Sequence, residues 1–456
     1  MPSHNCCNNY TRSQLLRQAA AEAGKGLPAI ERGMPVPAGT GLSRRSFLSR
    51  STGLALAVYG ASKMPFAAFE EGIANAATNG RILVSVFFDG GIDSMSVLAP
   101  TGHSRYPALR PNLALDPTEG TAFTEDPTLR WHPSAAPLAT LHSEGKVSVF
   151  PAIGYTSPNQ SHFTSRHFYE IGELEIGART GWLGRYIDRT GSDDNPLQGL
   201  SLDGTLSPTL ATADKPVAAV DDPTDYDMWA YGVGDPVSNP MYDTFGNFGG
   251  FASDSAPMTQ VRRATQQTAD LREQLAAFGN YTSPVAYPNT NFARKLSGLA
   301  ALIGAGLPLS CVTISASGGY DTHSDQESSF PTNLARTCSA ILAFQRDLEA
   351  RGEDDRVLVE MWSEFGRRPQ ENGTGTTAGT DHGAAGCAFV VGTKAQGQMV
   401  GQFPGLTTLD SQDNLVWTSD FRAMYCALID QWLEEDPTAI IPGASGLGPF
   451  PTLVKP

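Results

Sequence analysis

Short apolar runs alternate with longer segments of helical periodicity along most of this chain. Strand-like runs cover residues 81–88, 146–150, 309–315, 356–362 and 386–392. Helical spacing covers residues 165–174, 258–278, 292–307, 333–351 and 419–434. Strands that are apolar throughout are typical of a parallel sheet with both faces covered. The alternation therefore predicts an α/β fold with a mostly parallel sheet flanked by helices.

Residues 202–257 interrupt this alternation. They are rich in Asp, Pro, Gly and Asn, with scattered aromatic residues such as Trp229 and Phe248. Because no period persists, we expect an irregular insertion or cap on a single α/β domain of residues 77–456.

The N-terminal part has the features of an export leader. Arg44 and Arg45 precede an apolar stretch at 52–61, and a small-residue cleavage pattern ends at Ala76. This order predicts a twin-arginine signal peptide over residues 1–76, cleaved near Ala76, and a periplasmic or extracellular protein exported by the twin-arginine translocase. The alternative is an ordinary N-terminal helix. Because the segment before Arg44 is long for such a leader, we hypothesise that translation begins at Met34.

Charge and cysteine content limit the classes of partner. The chain has 32 basic and 47 acidic residues and a formal net charge of −15. This balance argues against nucleic acid and anionic membranes, because phosphate groups are bound by Lys and Arg. We expect no transmembrane segment after residue 76. Cys311, Cys338, Cys387 and Cys426 lie in apolar surroundings and are expected to be buried thiols, although their disulfide pairing stays open.

Three short polar stretches lie in the C-terminal half, at 318–323, 363–367 and 380–383; the first two follow strand-like runs directly, and the third lies a short loop further on. In an open α/β sheet, residues at the carboxyl ends of strands meet at one edge, where ligands bind. Asp321 and His323 stand two positions apart, so both side chains point the same way on extended backbone. Together with His382 they offer imidazole and carboxylate donors. This set predicts a divalent metal, with Zn, Mn, Ca and Mg left open.

Glu364, Arg367 and Asp381 extend this prediction. Glu364 is a candidate ligand at the end of the run 356–362. Arg367 is a candidate to bind a substrate oxyanion or to pair with Glu364. Asp381 is expected to ligate the metal or to orient His382. The alternative interpretation is structural, with hydrogen-bonded turn residues and an ion pair at the sheet edge.

Two further positions carry candidate side chains. Ser161 lies where a polar loop meets a helical segment, so its hydroxyl is a candidate nucleophile, although most such hydroxyls only cap the helix. Asp89 and Asp93 bracket Gly90-Gly91-Ile92 at the end of the first strand, and one of them is expected to bind the metal. Other histidines without a matching pattern are interpreted as structural: His103, His132, His142 and His167.

The order of these motifs along the chain is itself informative. Segments 88–93, 161–163, 319–323, 363–367, 380–383 and 419–422 follow the twin-arginine leader. In this order the chain resembles domain-of-unknown-function family 1501 over nearly all of residues 77–456. The resemblance implies an alkaline phosphatase–sulfatase fold, with one or two divalent metals beside a Ser, Thr or modified Cys nucleophile. It matches Asp321, His323, Glu364 and His382 to metal ligands, and it favours Asp93 over Asp89.

The chain departs from that pattern at two positions. Phe365 stands where phosphatases carry a His, and Ala384 stands where many family members carry a second His. No Cys-x-Pro-x-Arg sequence is present, so formylglycine chemistry is not expected. We expect an exported metal-dependent hydrolase-like protein, acting on phosphate or sulfate esters or on a surface polymer, with Ser161 or a metal-held water as nucleophile. The rival is a non-catalytic secreted binding or assembly protein on the same fold.

Overall fold

The computed structural model describes residues 58–59, 80–193, 195–223, 235–251, 256–276, 278 and 281–456. The leader predicted for residues 1–76, with Met34 and Ala76, lies outside the described residues except for positions 58–59. Within the described part, no helix is both long and apolar enough to cross a membrane. The four cysteines expected to be buried thiols are buried and free.

The strands of the described chain are short, from two to eight residues. In chain order they are β1 (Val58–Tyr59), β2 (Ile82–Phe87), β3 (Leu98–Ala99), β4 (Thr121–Ala122), β5 (Arg130–Trp131), β6 (Val147–Gly154), β7 (Gly199–Ser201), β8 (Val217–Ala219), β9 (Cys311–Ser315), β10 (Val357–Trp362), β11 (Arg367–Asn372), β12 (Gly379–His382), β13 (Gly386–Val391) and β14 (Ser419–Asp420).

The helices separate these strands. In chain order they are α1 (Ser94–Val97), α2 (Tyr106–Leu109), α3 (Ala136–Ser143), α4 (His162–Ile171), α5 (Trp182–Thr190), α6 (Asp235–Gly249), α7 (Ala256–Ala276), α8 (Asn291–Gly304), α9 (Gln326–Arg351) and α10 (Phe421–Gln431).

Nine strands of the described chain form one sheet, in the order β1-β8-β7-β9-β2-β10-β13-β6-β14. Strands β8, β7, β9, β2 and β10 run parallel to one another. Strand β13 is antiparallel to both of its neighbours, β10 and β6. The prediction of a mostly parallel sheet flanked by helices is therefore confirmed.

Helices cover both faces of the sheet, which explains why its central strands carry apolar side chains on both faces. Along β2, Ile82, Val84 and Val86 pack into one core with α3, α7, α8 and α9. Leu83 and Phe87 point to the other face and pack with α4, α5 and α10. The molecule therefore has three layers, helices–sheet–helices.

The carboxyl ends of the central strands meet at one edge of the sheet. Phe87 at the end of β2 pairs with Ser315 at the end of β9 and with Trp362 at the end of β10. Because β13 is antiparallel, it begins at this same edge. The loops after β2, β9 and β10 and the hairpin β11–β12 before β13 therefore converge there.

Three details correct the sequence prediction. Residues 202–257 are not irregular throughout, since β8 joins the main sheet and α6 pairs with α7. Helix α9 begins at Gln326, seven residues before the predicted start, and contains Pro331. Strand β6 continues through Pro151, because the sheet register shifts opposite this residue and a bulge needs no ladder hydrogen bond from proline.

Candidate metal centre

Three segments that are far apart in sequence bring histidines and an aspartate to this edge. His162 is the first residue of α4, Asp321 and His323 lie in the loop between β9 and α9, and His382 ends β12. The loop that carries Asp321 is held against the end of β2, because the N–H of Tyr320 donates to the carbonyl of Asp89 at 2.8 Å. Sheet geometry therefore fixes where these side chains meet.

His162, Asp321 and His382 form a group that could hold a metal ion, with one ligand atom of each within 4.8 Å of the others. Asp321 Oδ2 lies 3.5 Å from His162 Nε2, and Asp321 Oδ1 lies 3.3 Å from His382 Nε2. His323 joins at the more open side, with its Nε2 atom 3.1 Å from Asp321 Oδ1 and 2.9 Å from His382 Nε2. Three imidazoles thus surround one carboxylate.

The Nδ1 atom of each imidazole faces an oxygen acceptor. His162 Nδ1 lies 2.7 Å from the Glu364 carboxylate, His323 Nδ1 lies 2.9 Å from the Asp381 carboxylate, and His382 Nδ1 lies 2.8 Å from the Gln160 carbonyl. Because these oxygens only accept, we assign the proton of each neutral ring to Nδ1. The Nε2 lone pairs then point into the cluster, the arrangement usual for metal-ligating histidines.

The donor geometry fits a transition metal. Two Nε2 lone pairs facing each other at 2.9 Å repel unless a cation or a proton lies beside them. Tetrahedral ligands about 2.0–2.1 Å from a Zn²⁺ ion are separated by roughly 3.4 Å. The Asp321 oxygens lie 3.5 Å from His162 Nε2 and 3.3 Å from His382 Nε2. Imidazole nitrogens suit Zn²⁺ and similar ions, whereas Ca²⁺ and Mg²⁺ prefer oxygen donors.

The cluster is strongly polarised. Burial raises the pKa of Asp321, but the imidazoles of His162, His323 and His382 beside it outweigh this effect and hold that pKa below its ordinary value. Burial lowers the pKa of His162, but its bonds to Asp321 and Glu364 raise it to about 9. Burial also lowers the pKa of His382, and here the lowering prevails. Asp321 is therefore a carboxylate that attracts a cation.

Arg367 is not placed to clamp a substrate. Its guanidinium is buried, with donors directed to the carbonyls of Gly90, Gly91, Tyr320 and Thr380 and to Asp321 Oδ1 at 2.5 Å. Every nitrogen of the group is bonded within the protein. The structure corrects the predicted role of Arg367 from substrate binding to holding Asp321 and the surrounding loops.

Glu364 and Asp381 lie behind the histidines rather than among the cluster's donors. Glu364 is fully buried and accepts bonds from the N–H groups of Gly90 and Gly91 as well as from His162. Asp381 accepts from His323 and from Asn372 Nδ2. Each carboxylate orients one imidazole, a role that metal sites commonly need.

The two aspartates that follow β2 are directed elsewhere. Asp93 is fully buried and bonded by Arg110 through both oxygens, at 2.7 and 3.0 Å. The structure therefore assigns Asp93 to an ion pair, which corrects the expectation that it ligates a metal. The Asp89 carboxylate lies 3.6 Å from Arg166.

Ser161 takes the position predicted for it, immediately before α4, but the neighbouring histidine contributes to the cluster. Within the described chain, the Ser161 side chain makes no capping bond to α4, and its N–H donates to Asn159 Oδ1 at 2.8 Å. Sequence reasoning missed His162 as a ligand. The available signal was an imidazole beside a helix start that follows a strand.

Gly90 allows the loops around Asp321 to approach each other closely. Its φ of 114° is unfavourable for other residues, and a Cβ atom there would lie 2.4 Å from the backbone nitrogen of Asp321. The two glycines after β2 thus leave room for the cluster and also supply N–H donors to Glu364.

Comparison with known proteins places the chain in a family. Residues 178–430 match the family described as "Protein of unknown function (DUF1501)". The chain belongs to the DUF1501 family. The matched span of this DUF1501 protein includes Asp321, His323, Glu364 and His382, whereas His162 precedes it. The family predicted from the sequence motifs is confirmed.

Other comparisons add little to this assignment. The crystal structures of Ps i-CgsB, in complex with k-i-k-neocarrahexaose and alone, are 10% and 9% identical to this DUF1501 protein. Each alignment covers 80% of this chain and 75% of the other, with TM-scores of 0.33 and 0.32. Likeness at this level carries no functional argument. No curated protein sequence matches.

Proposed function

We propose that this protein is an exported metal-dependent hydrolase of phosphate or sulfate esters. One observation carries the proposal: three imidazoles, each with Nδ1 held by an oxygen, direct Nε2 at the Asp321 carboxylate. His162, Asp321 and His382 would hold the ion, with His323 as the fourth donor. The donor set favours Zn²⁺ or a similar transition metal.

A bound cation would polarise an ester oxygen and stabilise the negative charge that develops during hydrolysis. Arg367 supports this by holding Asp321 in place, and Phe365 packs against the rings of His162 and His382 with centroids 4.9 and 4.7 Å apart from them. Because the Arg367 guanidinium is used inside the protein, the cation is the main source of positive charge for an anionic substrate. The ester class itself rests on the fold that the family resemblance implies.

Ser161 is the proposed nucleophile. It precedes His162 directly, at the N-terminal end of a ten-residue helix whose dipole favours negative charge there. Water is the alternative nucleophile. A Ser161→Ala variant that keeps full metal content and loses ester turnover would support the first role, and one with unchanged turnover would support the second.

Export is part of the proposal because of the leader sequence. Arg44 and Arg45, the apolar stretch 52–61 and the pattern ending at Ala76 favour transport by the twin-arginine translocase into the periplasm or beyond. Replacing both arginines by lysine should retain the protein in the cytoplasm. Normal export of that variant would contradict this part of the proposal.

A non-catalytic binding protein is the second candidate. The observation that favours it is the number of donors, since three imidazoles and one carboxylate can fill four positions around a tetrahedral ion. Closed four-ligand sites are typical of structural zinc, whereas catalytic sites keep one position open. The role of His323 distinguishes the two candidates. If it binds the ion, the site is closed; if it does not, one position stays open for a substrate. Its side chain is 28% exposed, the most of the four.

The test is elemental analysis combined with ester assays on the purified protein. His382→Ala and His162→Ala should lose the metal, whereas His132→Ala should retain it, because His132 only caps a turn at Ser134. Turnover of p-nitrophenyl phosphate or sulfate, lost with the metal, would establish the hydrolase. Full metal content without turnover of any ester would favour the binding protein. A wild-type chain that neither contains nor takes up Zn²⁺, Mn²⁺ or Co²⁺ would refute the metal centre.

A further inference from the structure

Gln326, the first residue of α9, lies beside the cluster, and its described hydrogen bonds go to Asp93, Ser96, Thr322 and Thr380 rather than to the proposed metal donors. It is 2% exposed. Its Nε2 atom donates to Asp93 Oδ2 at 2.6 Å and to Ser96 Oγ at 3.0 Å. Its Oε1 atom accepts from Thr322 Oγ1 at 2.9 Å and from Thr380 Oγ1 at 2.8 Å. Because a carboxylate only accepts, this network fixes which way the amide points.

The two threonines belong to the two chain segments that carry the cluster. Thr322 lies between Asp321 and His323, and Thr380 directly precedes Asp381 and His382. The N–H of Thr380 also donates to the carbonyl of Thr322 at 2.9 Å. Both hydroxyls are bonded to a single oxygen atom. The Gln326 amide therefore fixes the spacing between the ligand-bearing loop after β9 and strand β12.

The Nε2 end of the Gln326 amide is bonded to the buried ion pair of Asp93 and Arg110. Asp93 and Arg110 form an ion pair in which both side chains are fully buried, and Arg110 donates to the carbonyls of Arg368 and Pro369 in β11. Burial raises the pKa of Asp93, but Arg110 outweighs it and keeps the group ionised. The anchor therefore ties the same amide to the other strand of the β11–β12 hairpin.

We propose that Gln326 is a positioning residue for the metal centre, setting the distance between Asp321–His323 and Asp381–His382. This inference rests on the proposed function, because it presumes that these residues bind a metal. It requires a neutral side chain with one donor end and one acceptor end, which explains why glutamine suits this position better than glutamate. A glutamate would place a second carboxylate against Asp93.

The test compares two buried glutamines on the same helix. Gln326→Met removes the amide bonds to both threonines. Gln345→Met is the matched control, since Gln345 is 3% exposed and its amide bonds Glu349 and Thr393, away from the cluster. We expect Gln326→Met to lower Zn²⁺ affinity about 10–100-fold, measured by competition with a chelator, and to change the visible spectrum of bound Co²⁺. Gln345→Met should bind like the wild type even if it unfolds more easily.

Two threonine variants test the same hydrogen bonds if the Gln326→Met protein does not fold. Thr322→Val and Thr380→Val each remove one hydroxyl and should weaken Zn²⁺ binding, and together with Gln326→Met the losses should be less than additive. Wild-type affinity and an unchanged Co²⁺ spectrum in Gln326→Met, or in both threonine variants, would overturn the positioning role. Absence of Zn²⁺ and Co²⁺ binding in the wild type would instead refute the metal centre, and this inference with it.

Discussion

The Nδ1 atom of His162 donates to Glu364 at 2.7 Å, and the same carboxylate accepts the backbone N–H groups of Gly90 and Gly91. Burial raises the pKa of Glu364, but the bond with His162 outweighs it, and the pKa lies below its ordinary value. One buried anion thus holds the turn after β2 and also sets the tautomer of a proposed ligand. The loop after β2 and the start of α4 depend on each other through Glu364.

Glu364→Gln should weaken metal binding about 10–100-fold. In the wild type both carboxylate oxygens accept from His162 and from the N–H groups of Gly90 and Gly91, and the NH₂ group of glutamine cannot accept. Zn²⁺ affinity measured against a chelator checks this. Glu371→Gln is the matched control, since Glu371 is also a buried carboxylate that accepts backbone N–H groups, from Asn112 and Leu113, outside the cluster. Equal affinity losses in both variants would contradict a specific role for Glu364.

Arg367→Lys should lower the free energy of unfolding by roughly 3–5 kcal/mol, because lysine cannot reproduce a buried fork with five partners. Urea unfolding measures the loss. Arg368→Lys, at a half-buried neighbour, should change stability by less than about 0.5 kcal/mol. A stable Arg367→Lys protein with a raised KM would restore the substrate-binding role predicted from the sequence.

Gly90→Ala should cost more than about 2 kcal/mol of stability and reduce metal affinity, because the new Cβ meets the Asp321 backbone at 2.4 Å. Gly443→Ala separates the two contributions. Gly443 has a φ of 77°, and an added Cβ would have no described atom within 4 Å, so only the backbone cost of about 1–2 kcal/mol remains. Thermal unfolding and Zn²⁺ titration of both variants test this. Equal losses of stability in the two, with unchanged Zn²⁺ affinity in Gly90→Ala, would show that the approach of Gly90 to Asp321 has no specific role.

Glu360 should make stability depend on pH. It is fully buried in β10, accepts from Ser85 Oγ at 2.7 Å, and burial raises its pKa to about 8. The folded protein therefore holds this proton more tightly than the unfolded chain does. The stabilisation that the protonated Glu360 gives the folded state is complete below about pH 4.5. It is lost as the pH rises towards 8, at about 1.4 kcal/mol for each unit of pKa shift.

Glu360→Gln should remove this loss. The variant is expected to be more stable than the wild type at pH 8–9, with the difference shrinking towards pH 5, as measured by urea unfolding across that range. Glu119→Gln, at an exposed carboxylate, should leave the pH profile unchanged. A wild-type stability that rises between pH 5 and 8, with the same rise in Glu360→Gln, would contradict the assignment.

The sheet could be predicted because burial on two faces leaves a simple signature. The run 82–88 is apolar at every position except Ser85, and both of its faces are covered in the structure. The start of α9 could not be predicted, because Pro331 in the sequence suggests a helix boundary. The helix begins earlier, at Gln326, whose side chain is bonded to residues distant in sequence, such as Asp93 and Thr380. Strand β8, only three residues long, is defined by its neighbours rather than by its own pattern.

The candidate site could be predicted in part. Asp321, His323 and His382 follow from strand ends, since parallel strands bring their carboxyl ends to one edge. The preference for Asp93 over Asp89 was wrong, because the role of Asp93 depends on Arg110, which is 17 positions away along the chain and buried against it. The role of His162 could not be predicted for a similar reason, because the orientation of its imidazole is set by Glu364, 202 residues later in the chain.

The reversed direction of β13 has a consequence for how this fold can change. The chain leaves β10 at the candidate site and re-enters the sheet at the same edge, so residues 363–385 begin and end beside each other. Glu364, Arg367, Asp381 and His382 all belong to this segment. This half of the centre can therefore change in sequence or length with every strand pairing of the main sheet preserved, as long as its bonds to Gly90, Arg110 and Gln326 are kept.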